Sequence, residues 1–105
     1  MKQEYIDLDI VKNLITNRFE LEVNGFTAFI DFKESGSVIK LIHTETAPEL
    51  AGLGVAKALI LKTLKYIEQN NFTLMPICPL VFAYIKKNSE WKRIVDANFV
   101  GIENL

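Results

Sequence analysis

The stretch Val38-Ile39-Lys40-Leu41-Ile42-His43-Thr44-Glu45-Thr46-Ala47-Pro48-Glu49-Leu50-Ala51-Gly52-Leu53-Gly54-Val55-Ala56-Lys57 holds the change of pattern that decides the fold. From Val38 to Thr44 the apolar residues fall on both sides of an extended chain, Val38 and Ile42 on one and Ile39 and Leu41 on the other. That is the pattern of a central strand covered on both faces. Pro48 to Gly54 breaks it. From Val55 to about Asn70 the period becomes helical: Ala56, Ile60, Leu64 and Ile67 recur at intervals of three and four, while Lys57, Lys62, Lys65 and Gln69 lie towards another side. A buried strand, a glycine loop and an amphipathic helix therefore follow one another.

Upstream, Phe19, Leu21 and Val23 alternate with Glu20 and Glu22, which predicts a half-buried strand. Asn24-Gly25 is a hairpin turn, since both residues tolerate positive φ. The next strand is predicted over about Phe26 to Lys33, with Phe26, Ala28, Ile30 and Phe32 sharing a face, and Glu34-Ser35-Gly36-Ser37 turns it back. The first sixteen residues are ambiguous. Asp9 can cap a short helix through Ile10, Val11, Leu14 and Ile15, whose spacing keeps one apolar face. Downstream, Asn70-Asn71 stops the long helix and Phe72 to Ile77 reads as a short strand. Cys78-Pro79 opens a second helix, Leu80 to Lys87, carrying Val81, Tyr84 and Ile85. The tail, with Trp91, Ile94, Val95, Phe99 and Val100, is apolar enough to pack back on the body. This order predicts an α/β (α+β) fold, a mixed and mostly antiparallel sheet flanked by helices.

Composition narrows the function classes. The 105 residues suit one domain, read as 1–105 with 1–16 as an ambiguous extension. Twelve Lys and Arg against thirteen Asp and Glu give a net charge of −1, without the basic excess of a nucleic-acid binder. One cysteine, Cys78, and one histidine, His43, supply neither a disulfide framework nor a Cys/His zinc site, so no metal is expected. No apolar run reaches the roughly 20 residues of a membrane helix, and the N-terminus lacks a signal pattern, which points to a cytoplasmic protein without a membrane partner. Oligomeric state has no signature here.

The segment Gly52-Leu53-Gly54-Val55-Ala56-Lys57 carries the chemistry. Glycines admit a ligand close to the backbone, and the first amides of the following helix have no intrahelical acceptor. Their aligned dipoles favour an anion, usually phosphate, to which Lys57 adds a charge. A glycine loop that merely turns the chain accounts for the same residues. Two familiar phosphate motifs do not fit: the third glycine of the dinucleotide fingerprint is missing, and Ala58, not Ser or Thr, follows Lys57.

Three side chains outside the loop have titratable chemistry. His43, on a strand face with Leu41 and Glu45, is either a satisfied histidine at a central strand end or a base for an incoming amine near neutral pH, with Glu45 orienting it, acting through a water or attracting a cationic substrate. Cys78 is either a buried small hydrophobe or a proton donor or nucleophile at a helix N-terminus. Tyr84 suits general-acid work, though such a tyrosine is more often core with a wet hydroxyl.

The run His43-Thr44-Glu45, then Pro48 to Ala56, then Pro76-Ile77-Cys78-Pro79, closing on Asn88-Ser89-Glu90-Trp91, resembles the small single-domain N-acetyltransferase-like members of the GNAT superfamily. The resemblance covers roughly Arg18 to Lys92. It implies the GNAT fold and acetyl-CoA as co-substrate, its pyrophosphate on the amides of Gly52, Leu53, Gly54, Val55, Ala56 and Lys57. It also implies that the pantetheine arm enters where two parallel strands part, between the strand end around Thr44 and Glu45 and that at Cys78. In the superfamily pattern Gln/Arg-x-x-Gly-x-Gly/Ala, Gly54 and Ala56 match the last two positions and Ala51 replaces the Gln/Arg. Candidate catalytic groups in the family stand at the positions of Cys78 and His43. The expected activity is N-acetyl transfer to an unidentified amine by direct attack in a ternary complex. Two alternatives stand beside it: a non-catalytic acyl-CoA-binding or interaction module, and a thiol hydrolase using Cys78 and His43.

Overall fold

A computed structural model describes residues 2–105; Met1, part of the ambiguous extension, lies outside the described residues. A four-residue helix α1 (Gln3–Ile6) precedes strands β1 (Val11–Asn13), β2 (Arg18–Val23), β3 (Phe26–Ser35) and β4 (Val38–Thr46). The long helix α2 (Val55–Gln69), strand β5 (Thr73–Pro76) and helix α3 (Pro79–Lys87) follow, with short 3-10 turns around them. The five strands lie in chain order in one sheet. Neighbours are antiparallel from β1 to β4, and β5 joins β4 in parallel. The fold is the expected α+β arrangement with a mostly antiparallel sheet.

Local chemistry explains the turns. Asn24 and Gly25 both take positive φ, 54° and 82°, which matches the twist of a two-residue hairpin. Gly36 does the same at 59°, so the second hairpin turns on Gly36-Ser37 and β3 runs on to Ser35. Asn71, at φ 61°, ends the segment after α2. One sheet face carries the core: Phe19, Leu21, Ala28, Ile30, Ile39 and Leu41 are fully buried there, against Leu59, Leu64 and Ile67 of α2. The tail returns as expected through Trp91 and Ile94, and Val95 makes a parallel bridge to Leu74 beyond β5. Val100 is the exception and stays exposed.

Two expectations fail in instructive ways. Ile10 to Ile15 is not a helix capped by Asp9. Val11–Asn13 adds instead to the edge of β2, in the register Val11↔Glu20 to Asn13↔Arg18. The free backbone edge of β2 outbids a marginal helix, and Asn13 Oδ1 accepts the amides of Ile15 and Thr16 to turn the chain. Leu14 and Ile15, counted as an apolar face, project into solvent. The second failure concerns β4, which is not covered on both faces. Ile39 and Leu41 are buried, Val38 is half-buried and Ile42 is exposed.

Lys12 anchors β1 across the sheet. Its Nζ lies 5.6, 5.2 and 5.1 Å from the ring centres of Phe32, Tyr66 and Phe72 and 2.5 Å from Glu34. Burial opposes the charge, but the hydrogen bonds to Glu34 and Tyr66 outweigh it and hold the ammonium above its ordinary 10.5. A raised value means that this contribution is complete below the ordinary lysine range and fades as pH climbs past the raised one. A Lys12→Met variant is expected to lose about 1–2 kcal/mol of stability at pH 7, read as a lower urea midpoint. The difference should shrink only at strongly alkaline pH.

Candidate functional site

The loop between β4 and α2 is built around two left-handed residues, Gly52 at φ 77° and Gly54 at φ 76°. A Cβ at either would meet nothing within 4 Å, so backbone conformation requires glycine here, not crowding. Within the loop, the Ala51 amide donates to Pro48 O at 3.1 Å and the Leu53 amide to Leu50 O at 3.2 Å. Ala58 is the first residue of α2 to bond back, to Gly54 O at 3.2 Å. Between them, the amides of Gly52, Gly54, Val55, Ala56 and Lys57 find no acceptor among the described residues, and no side chain caps Gly54. Unpaired donors gathered at the positive end of a fifteen-residue helix make a cradle of the kind that favours an anion. From behind, the hydroxyl of buried Tyr5 donates to Leu53 O at 2.8 Å and docks α1 on the loop.

The cradle opens into a groove of about 900 Å³. One wall is the β4–α2 loop and the start of α2, kept low by Ala51, Ala56 and Ala58; the other is a single face of α3, Leu80, Ala83, Tyr84 and Lys87. Thr46, near the end of β4, closes one side. Of the expected anion-binding residues, Gly52, Gly54, Val55, Ala56 and Lys57 line the groove. Leu53 does not: its amide is used within the loop and its carbonyl holds Tyr5. Thr44 and Glu45 are likewise outside the lining.

The parting of β4 and β5 has a structural cause. Parallel pairing runs from Val38↔Thr73 to Leu41↔Pro76, and the Cys78 amide makes the last bond, 2.8 Å to Leu41 O. Directly after Leu41 the register with β3 slips by one residue, from Phe32↔Leu41 to Asp31↔His43, leaving Ile42 as a β-bulge. β4 then continues to Thr46 paired only with β3.

A bulge also exchanges the faces of every residue after it. His43 is thereby turned away from the face of Leu41, correcting the expectation that the two share one. It stands beside Glu45, Nε2 to Oε2 3.7 Å, with both side chains more than half exposed. Thr44 takes the inward face, its Oγ1 3.3 Å from Cys78 Sγ. Cys78 is only 2% exposed. The structure thus joins Cys78 to Thr44 and His43 to Glu45, but it does not join Cys78 to His43. The dyad that a thiol hydrolase requires is not formed.

Tyr84 is the one expected catalytic side chain in the groove wall. Burial, and then the charge of Glu90, push its hydroxyl above the ordinary 10.0, so it stays protonated and able to donate. Sequence reading missed Thr46, Leu80, Lys87 and Lys2 as lining residues. The i, i+3, i+4, i+7 spacing of Leu80, Ala83, Tyr84 and Lys87 was the available signal for α3; Lys2 had none.

The sequence pattern of the family described as GCN5-related N-acetyl-transferase matches residues 18–94. The chain belongs to that family. As a GCN5-related N-acetyltransferase, it has its matched region running from the start of β2 to Ile94. The amide cradle, the bulged strand and the groove-facing α3 all fall within it. Helix α1 and strand β1 fall outside.

Proposed function

We propose that this GCN5-related chain is an acetyl-CoA-dependent N-acetyltransferase that moves an acetyl group to an amine by direct attack in a ternary complex. The observation that carries the reading is the set of unpaired amides at Gly52, Gly54, Val55, Ala56 and Lys57. They suit the diphosphate of acetyl-CoA, with Lys57 beside it. The free side of β4 past Leu41, including Thr44 and Glu45, offers main-chain groups to the pantetheine arm as an added strand would.

In transfer, the amine nitrogen bonds to the acetyl carbonyl carbon, the carbon–sulfur bond breaks, and two protons are managed: one leaves the nitrogen and one reaches the departing sulfur. His43 takes the first on the exposed face. Tyr84 supplies the second, because it lines the groove with its proton held; Cys78, buried behind Thr44, packs the wedge between the strands. Acetylated Cys78 in a denatured, acetyl-CoA-treated sample would instead assign a thiol-linked route.

Tyr84→Phe is expected to lower kcat by about 10- to 100-fold with CoA affinity unchanged. Since its value is raised, the donor is lost only above the ordinary tyrosine range, so the Tyr84-dependent alkaline limb should lie above pH 10. A limb near neutrality would assign the donor elsewhere.

The exposure of His43 and burial of Cys78 also favour a second reading, an acyl-CoA-binding module without turnover. Calorimetric CoA binding combined with acetyl transfer to a panel of small amines and peptides separates the two: binding without turnover selects the module. We read residues 1–105 as one domain, supported by a single core cluster that reaches from Tyr5 to Ile94. We place it in the cytoplasm, where its free, buried thiol suits a reducing compartment. No helix among the described residues is long and apolar enough to cross a membrane.

A further inference from the structure

The charge lining the groove is one-sided. Lys2, Lys57 and Lys87 line it and no aspartate or glutamate does, in a chain whose net charge is −1. None of the three is paired with a carboxylate among the described residues. Lys57 sits in the first turn of α2, beside the amide cradle. Lys2 and Lys87 do not: one precedes α1 and the other ends α3. A diphosphate on the cradle leaves these two ammonium groups without an anion.

The layout of α3 says which end of a ligand Lys87 meets. Leu80 lies just beyond the strand opening at Cys78, and Lys87 is seven residues further along the same helix face, about 10 Å away. With the thioester arm at the strand opening, the Lys87 end receives the nucleotide end. Lys2 is brought to the same groove by α1, which Tyr5 fixes to Leu53 O at 2.8 Å and Lys62 to Ile6 O at 3.3 Å.

We propose that Lys2 and Lys87 bind the 3′-phosphate of the CoA adenosine, so that this groove distinguishes CoA from 3′-dephospho-CoA. The inference rests on the proposed CoA site and adds a role for α1, which lies outside the family-matched residues 18–94. The N-terminal segment then serves as part of the co-substrate site.

The test is calorimetric titration of the full chain with CoA and with 3′-dephospho-CoA at about 0.1 M salt. The wild-type chain should bind CoA about tenfold more tightly, the size expected for charge-assisted phosphate contacts. Lys2→Met and Lys87→Met should each reduce that ratio several-fold and leave dephospho-CoA affinity unchanged. Lys33→Met, on an exposed strand position, should leave the ratio intact. Equal wild-type affinities for the two ligands overturn the inference while the CoA site stands. A ratio preserved in both variants overturns the residue assignment. Failure of both ligands to bind removes the CoA site itself.

Discussion

A Gly54→Pro variant loses CoA affinity by at least about 100-fold and remains folded. Proline locks φ near −65°, whereas Gly54 holds 76°. It also deletes one of the unpaired amides outright and swings those of Val55 and Ala56 out of line. The loss of these three charge-assisted hydrogen bonds accounts for a fall of at least that size. The rest of α2 is secured by Leu59, Leu64 and Ile67, all fully buried, so the helix persists and circular dichroism stays close to wild type. Gly54→Ala is the gentler companion. It keeps the amide and costs about 1 kcal/mol for the left-handed backbone, so its affinity should fall only modestly. A folded Gly54→Pro chain with wild-type affinity would place the anion elsewhere.

His43→Ala should lower kcat by about 10²- to 10³-fold, with CoA affinity changed less than about twofold. The bulge at Ile42 is the reason for that split. By shifting the alternation of β4, it puts His43 on the exposed face beside Glu45, away from the groove-lining residues. In the proposed transfer, a residue so placed would meet the incoming amine and not the co-substrate. Glu45→Gln, which keeps the shape and removes the charge 3.7 Å from the ring, should produce a smaller drop of the same kind. If His43→Ala instead weakens CoA binding in proportion to turnover, the ring supports the strand rather than the proton transfer. Unchanged turnover would remove it from the mechanism.

Much of the cradle was legible because its signals are local. Asn24-Gly25, Gly52, Gly54, Asn71 and Cys78-Pro79 announce their backbone states through residue type alone. The amphipathic period of α2 announces its buried face in the same way. The features that stayed hidden depend on partners distant in the chain. β1 is only three residues long and is held by Lys12 against Glu34, Tyr66 and Phe72, contacts that no window of sequence contains. The bulge has no residue signature, since Ile42 is a typical strand residue, yet it decides that Thr44 meets Cys78 and His43 does not. Lys2 reaches the groove only because Tyr5 docks on a loop 48 positions away.

The central claim is that five main-chain nitrogens grip a diphosphate. It is tested most directly by following the backbone amide resonances of the labelled chain during CoA titration. The amide protons of Gly52, Gly54, Val55, Ala56 and Lys57 should move downfield together and saturate with the binding curve, while those of Ala51 and Leu53, already bonded within the loop, move little. Saturable CoA binding that leaves these five signals in place would contradict the account.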